Sequence, residues 1–112
     1  MDKSTVLKHY FGHSAFRQGQ ERLIDALLEG RDVLGVMPTG GGKSLCYQVP
    51  ALLLPGVALV VSPLISLMKD QVAALKAAGA PAAYINSSLS LEQLRTVYGR
   101  IRKGAYKLVY VA

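Results

Sequence analysis

Tryptophan is absent from this sequence, cysteine occurs once, and beyond residue 50 the acidic residues number only two, Asp70 and Glu92. A lone Cys46 cannot form an internal disulfide, which excludes the small cross-linked scaffolds of secreted proteins and agrees with a reducing compartment. No apolar run is long enough to cross a bilayer, since the longest, Val49 to Val61, is interrupted by Pro50, Pro55 and Gly56. The opening residues, with Asp2, Lys3, Lys8 and His9, lack the apolar block of a secretory signal, so the cytoplasm is the expected location, and the nucleoid in a bacterium. No tract is biased enough to read as disordered or low in complexity. His9 and His13 have no metal-binding partner at useful spacing, so no structural zinc is expected.

What is present is a short, apolar, basic chain. Its 112 residues allow one small domain or part of one, and 51% of them are apolar. Folding at this size hides about two-thirds of the surface, enough for a single core without much margin. The net charge of +6 is uneven: Lys69, Lys76, Arg95, Arg100, Arg102, Lys103 and Lys107 oppose only Asp70 and Glu92, while the first fifty residues are nearly balanced. Such an excess fits a polyanionic partner such as nucleic acid, although a solvated helix face would produce the same count.

The pattern of apolar residues predicts an α/β fold. Ser4 is expected to cap a first helix reaching Phe11, with Gly12 ending it in a left-handed turn. A second helix from about Gly19 to Glu29 carries the stripe Leu23, Ile24, Leu27 and Leu28. Val33 to Met37 then reads as a buried strand, and a glycine-rich turn at Thr39 to Gly42 leads into a helix from Lys43. Strand and helix alternate thereafter: Val57 to Val61, Leu64 to Ala78, Ala82 to Ile85, Ser90 to Lys103 and Lys107 to Val111. This alternation predicts a parallel sheet with flanking helices on both faces. Ser90 and Gln93 have the spacing of a capping box at the start of the last helix. The final strand has no following element to cover it, so the chain is expected to be part of a longer polypeptide.

Met37-Pro38-Thr39-Gly40-Gly41-Gly42-Lys43-Ser44 stands where a phosphate cradle belongs, between a strand and a helix. Consecutive glycines let successive N–H groups converge on one anion at a helix N-terminus. Lys43 would reach the β- and γ-phosphates, and the Ser44 hydroxyl would ligate magnesium. The strict pattern G-x-x-x-x-G-K-[ST] misses by one residue, because Met37 occupies its first glycine position. A glycine-rich turn with an incidental lysine is the alternative; the flanking elements and the Lys-Ser register argue against it.

Around this loop the sequence resembles the RecQ family of ATP-dependent DNA helicases. Phe11-Gly12-His13-Ser14-Ala15-Phe16-Arg17-Gln18-Gly19-Gln20, followed by Ile24, is similar to that family's adenine-recognition motif, and Pro38 to Gln48 to its motif I. Ser62-Pro63-Leu64-Ile65-Ser66-Leu67-Met68-Lys69-Asp70-Gln71 is similar to its motif Ia, and Tyr110-Val111-Ala112 to the opening of its next motif. The resemblance implies that residues 1–112 form the N-terminal portion of a RecA-like ATP-binding lobe, incomplete and ending before an Asp-Glu-x-His motif, with residues 1–30 as the adenine-recognition segment.

It further implies that Gln20 and Arg17 hold the adenine of ATP, that Thr39, Gly40, Gly41, Gly42 and Lys43 hold its phosphates, and that Ser44 helps place Mg2+. A glutamine amide can donate to adenine N7 and accept from N6 together, so ATP would be preferred to GTP. His13 occupies a position where the family often has a larger aromatic ring. Ser62 and Lys69 are the implied contacts to single-stranded DNA; Ser-Pro is also a common strand-to-helix turn. The implied parent protein unwinds DNA, with 3′-to-5′ movement, in repair and recombination, using a second RecA-like lobe. Without the acidic motif and that lobe, this segment alone is expected to hydrolyse little or no ATP and to be marginally stable. Two other classes fit the residues by themselves: another phosphate-loop NTPase, or a nucleic-acid-binding module without catalysis.

Overall fold

The structure, a computed structural model, describes residues 1–38 and 42–112. The expectations for Thr39, Gly40 and Gly41 lie outside the described residues. The chain divides into two compact units, Met1–Pro55 and Gly56–Ala112.

The first unit is helical. Helix α1 spans Lys3–Phe11, α2 Gln20–Leu28 and α3 Lys43–Leu53. Asp2, rather than the expected Ser4, caps α1: its extended backbone lets a carboxylate oxygen accept the Thr5 N–H at 2.8 Å. That bond holds the Asp2 carboxyl below its ordinary value. Gly12 closes the helix at φ 72°, a left-handed turn that glycine adopts without strain. Lys3 reaches across to α2, with its ammonium 2.5 Å from Asp25 and 2.8 Å from Glu21, and the Asp25 and Glu21 carboxylates raise its pKa.

Val6, Leu7, Ile24 and Val49 form the centre of this unit, surrounded by half-buried side chains that include Tyr10, Phe11, Phe16 and Leu45. Of the expected stripe on α2, Ile24 is fully buried while Leu23, Leu27 and Leu28 are partly so. Helix α3 continues through Pro50 for three further residues before Leu54, so this proline interrupts the apolar run without ending the helix. Among the described residues, no helix is long and apolar enough to cross a membrane.

One expectation fails here. Val33 to Met37 is not a strand: its backbone has no regular structure, and Leu34 and Val36 are 91% and 89% exposed. A strand exists only by hydrogen bonding to a neighbour, and the described strands pair among themselves. An apolar run of this length shows a preference for burial; it cannot supply the partner.

The second unit is α/β, as the alternation predicted. Strands β1 (Ala58–Val61), β2 (Ala82–Ile85) and β3 (Leu108–Val111) form a parallel sheet in the order β1-β3-β2, with α4 (Ile65–Ala77) and α5 (Leu91–Arg102) as the connecting helices. The last strand in the chain is therefore the central one. Leu108 aligns with Ala58 on one side and Ala82 on the other, and Leu108, Val109 and Tyr110 are all but inaccessible. Its backbone pairs with two earlier strands. Edge strand β1 is different: Leu59 and Val61 remain 65% and 80% exposed.

Helix α4 packs on β2 through Met68, Val72 and Leu75, spaced as one helical stripe. Helix α5 begins with the expected capping box, in which the Ser90 hydroxyl accepts the Gln93 N–H at 3.1 Å and Gln93 Oε1 accepts the Ser90 N–H at 2.9 Å.

The position of β3 sets a contrast that urea denaturation measures. Leu108→Ala is expected to destabilise the protein by about 2–5 kcal/mol, and Leu59→Ala on the exposed edge by no more than about 0.5 kcal/mol. The depressed Asp2 pKa contributes stability that is present above the ordinary carboxylate value and lost as pH falls through the lower folded value. Asp2→Asn keeps a capping oxygen, so thermal melts should show little change near neutrality and a flatter decline on acidification.

Candidate functional site

The site is built where the end of the glycine-rich segment enters α3. Gly42 precedes the helix with φ 77° and ψ 37°, and Lys43 and Ser44 are its first two residues. Among the described residues no side chain caps this helix, and its first turn contains no acidic residue. The N–H groups of that turn, which lack intrahelical acceptors, together with the positive end of the helix dipole, therefore favour an anion. Lys43 is exposed and Ser44 half-buried.

Gln20, the first residue of α2, is 1% exposed and reaches this point from the other side. Its Oε1 accepts the Arg17 N–H at 2.7 Å, and its Nε2 donates to the Gly42 carbonyl at 2.9 Å. The two bonds have opposite polarity, so they settle which end of the amide is oxygen and which is nitrogen. A primary amide has two N–H donors and two acceptor lone pairs. Among the described residues, one of each remains for a further partner.

The same contact explains Gly42. A Cβ there would lie 2.3 Å from Gln20 Nε2, and the positive φ is itself one that side chains rarely adopt. Gly42, which stands at the end of the expected phosphate loop, also lies against the Gln20 and Arg17 side chains. Nothing in local spacing signals the contact with Gln20, because the two residues are 22 apart in the chain.

A cleft of about 300 Å³ opens beside the amide, lined by His13, Ala15, Arg17, Gln20, Gly42 and Leu45. The structure thus brings together two segments that the sequence reading singled out separately, and adds Ala15 and Leu45, which that reading passed over as parts of motifs. Behind the cleft, Cys46 is buried with its Sγ 3.7 Å from Met37 Sδ, and burial raises the thiol pKa. A small buried apolar residue is what the sequence predicted there. Among the described residues, no group of three or more His, Cys, Asp or Glu side chains could hold a metal ion.

Ser62 and Lys69 belong to the second unit. Ser62 follows β1, where its N–H donates to the Val111 carbonyl and its hydroxyl accepts the Leu64 N–H at 3.2 Å, shaping the turn into α4. Lys69 is exposed on α4, with no ion pair among the described residues.

The DEAD/DEAH box helicase family model matches residues 17–112, nearly all of the sequence. The chain belongs to the DEAD/DEAH box helicase family. Among the relatives it resembles are helicases of the RecQ type. It is 56% identical over 108 residues to the ATP-dependent DNA helicase RecQ of Haemophilus influenzae, covering 96% of this chain and 17% of that protein. The RecQ of Bacillus subtilis is 52% identical over 108 residues, 96% of this chain and 18% of the relative. The ATP-dependent DNA helicase Q1 of Pongo abelii is 44% identical over 108 residues, 95% of this chain and 17% of the relative. The helicase chain spans less than a fifth of the length of these relatives.

In this helicase-family unit, Gln20 and Gly42 should behave as one energetic element. Gly42→Ala is expected to cost at least about 1–2 kcal/mol from backbone strain alone. In a double-mutant cycle by urea denaturation, Gly42→Ala with Gln20→Ala should fall short of additivity by about 0.5–3 kcal/mol. Strict additivity would show that the two residues do not share a contact.

Proposed function

We propose that this chain is the ATP-binding part of a RecQ-type DNA helicase, in which cycles of ATP binding and hydrolysis drive strand separation. In this reading Gln20 and Arg17 hold the adenine; Thr39, Gly40, Gly41 and Gly42 surround the phosphates; Lys43 balances their charge; and Ser44 supplies a hydroxyl to the accompanying Mg2+. Ser44 would help hold that ion, whose charge would offset the charge on the phosphates.

One observation carries the proposal. The Gln20 amide is held in a single orientation by backbone groups on both sides, beside a cleft and next to an uncapped helix N-terminus. A fixed amide with one spare donor and one spare acceptor matches adenine, which presents an N7 acceptor and an N6 donor on one edge. Guanine presents acceptors at both N7 and O6, so the amide oxygen would meet an oxygen. The orientation is set before any base arrives, so less ordering entropy opposes binding.

Ser62 and Lys69 are proposed as contacts to the backbone of single-stranded DNA, Ser62 through its exposed turn and Lys69 through its charge. Hydrolysis itself calls for further groups: carboxylates for the metal and the attacking water, and arginines from a second lobe. The proposal therefore assigns nucleotide and DNA binding to this segment and little or no turnover.

Titration with labelled ATP and GTP tests the reading. Gln20→Ala is expected to erase the preference for ATP, a change of about 1–3 kcal/mol, or roughly 5- to 150-fold in relative affinity. Lys43→Ala should weaken both nucleotides alike, by roughly 1.5–3 kcal/mol. Inorganic tripolyphosphate, which has no base, separates loss of base reading from a distorted loop: its affinity should fall with Lys43→Ala and change little with Gln20→Ala. DNA binding without any nucleotide binding would instead identify a non-catalytic module.

A further inference from the structure

The second unit contains a cleft lined only by its own residues. It lies between α4 and α5 and has a volume of about 330 Å³, at the small end of the range for ligand pockets, about 300–1,000 Å³. Buried Val72 and Ala83 are among its apolar lining residues, half-buried Tyr84 and Tyr106 line it too, and Lys76 and Arg100 add one cation from each helix.

Its origin is the incomplete docking of α5. Leu94, Val97 and Ile101 fall on one stripe of that helix, yet α5 has no fully buried residue. Helix α4, by contrast, buries Met68, Val72 and Leu75. A stripe that is only half covered beside a well-seated helix leaves room for a further apolar group.

The charges point to the occupant. Neither Lys76 nor Arg100 has an ion pair among the described residues. The one carboxylate in the lining, Glu92, lies eight positions before Arg100 on the same helix, or about 12 Å along its axis. It is therefore too far along α5 to neutralise Arg100. Two uncompensated cations beside an apolar floor suit a ligand with an apolar side chain and carboxylates near it.

Nucleic acid fits less well. A sequence-tolerant strand-binding surface needs open aromatic faces and a continuous line of cations, whereas these tyrosines are half-buried and a carboxylate interrupts the lining. The two cations also lie away from the turn that bears Ser62: Lys76 is in the last turn of α4 and Arg100 in that of α5, which puts both toward the amino edge of the parallel sheet, while Ser62 follows the carboxyl end of β1.

We propose that the α4–α5 cleft is a docking site for an acidic peptide segment of a partner protein, which inserts one apolar side chain and sets its carboxylates against Lys76 and Arg100. Pairing an apolar anchor with peripheral charge is a common interface arrangement, in which the anchor supplies most of the affinity and the charges select the partner.

Selection from a phage-displayed library of random peptides on the intact protein tests this. The enriched sequences should share an apolar residue flanked by Asp or Glu, and synthetic versions should lose at least about tenfold in affinity for Lys76→Glu and for Arg100→Glu. Lys76→Arg keeps the charge and should retain binding. Far-UV circular dichroism identifies variants that do not fold, and for those Lys76→Gln and Arg100→Gln take their place with a smaller expected loss. Enriched peptides without acidic residues, or with affinity indifferent to both charge reversals, would overturn the proposal. So would oligothymidylate whose binding falls tenfold with Lys76→Glu while the peptides are unaffected, since the cleft would then be a nucleic-acid surface.

Discussion

The amide of Gln20 is the contact on which the site depends. It is almost inaccessible, and its two ends are occupied by backbone groups from different segments, the Arg17 N–H and the Gly42 carbonyl. A buried amide without such partners would carry a desolvation cost of about 1–3 kcal/mol. The requirement to satisfy it ties the residues before α2 to the residue before α3, and it also makes glycine necessary at position 42. One side chain thus links the two segments that the proposed function needs together, the base-reading stretch and the start of the phosphate-binding helix.

Local stability around that contact comes from ordinary sources. Helix α1 is capped by Asp2 and tied to α2 by Lys3, and the three helices share the core of Val6, Leu7, Ile24 and Val49. These partly exposed ion pairs add little stability by themselves. The second unit works differently: its strands are only four residues long, and the apolar weight is concentrated in β3. Because β3 pairs on both sides, the last residues of the chain hold the earlier strands in one sheet. The edge strand β1, the start of α4 and the partly seated α5 leave apolar surface exposed, and the last is the basis of the inferred docking site.

The outcome at Val33 to Met37 shows how local and non-local information differ. The run is apolar and β-branched, and such a stretch states only that burial would be favourable. Whether it becomes a strand depends on a neighbour with free N–H and C=O groups, and the described strands are paired with one another. The capping of α1 is a milder case. Both Asp2 and Ser4 are good capping residues, and the choice rests on which backbone adopts the extended conformation; it is Asp2, at φ −94° and ψ 176°.

By itself the sequence determined the features whose signals are local: the capping box at Ser90, the left-handed glycine closing α1, and the Lys-Ser pair opening α3. These follow from interactions within a few residues, where spacing and side-chain chemistry are sufficient. Tertiary structure alone decided that the last strand lies in the middle of the sheet, that Gln20 rests on Gly42, and that α5 leaves an open cleft beside α4. Each depends on contacts between residues far apart in the chain, and their formation is governed by which surfaces can pair and satisfy one another once folded, something no local pattern encodes.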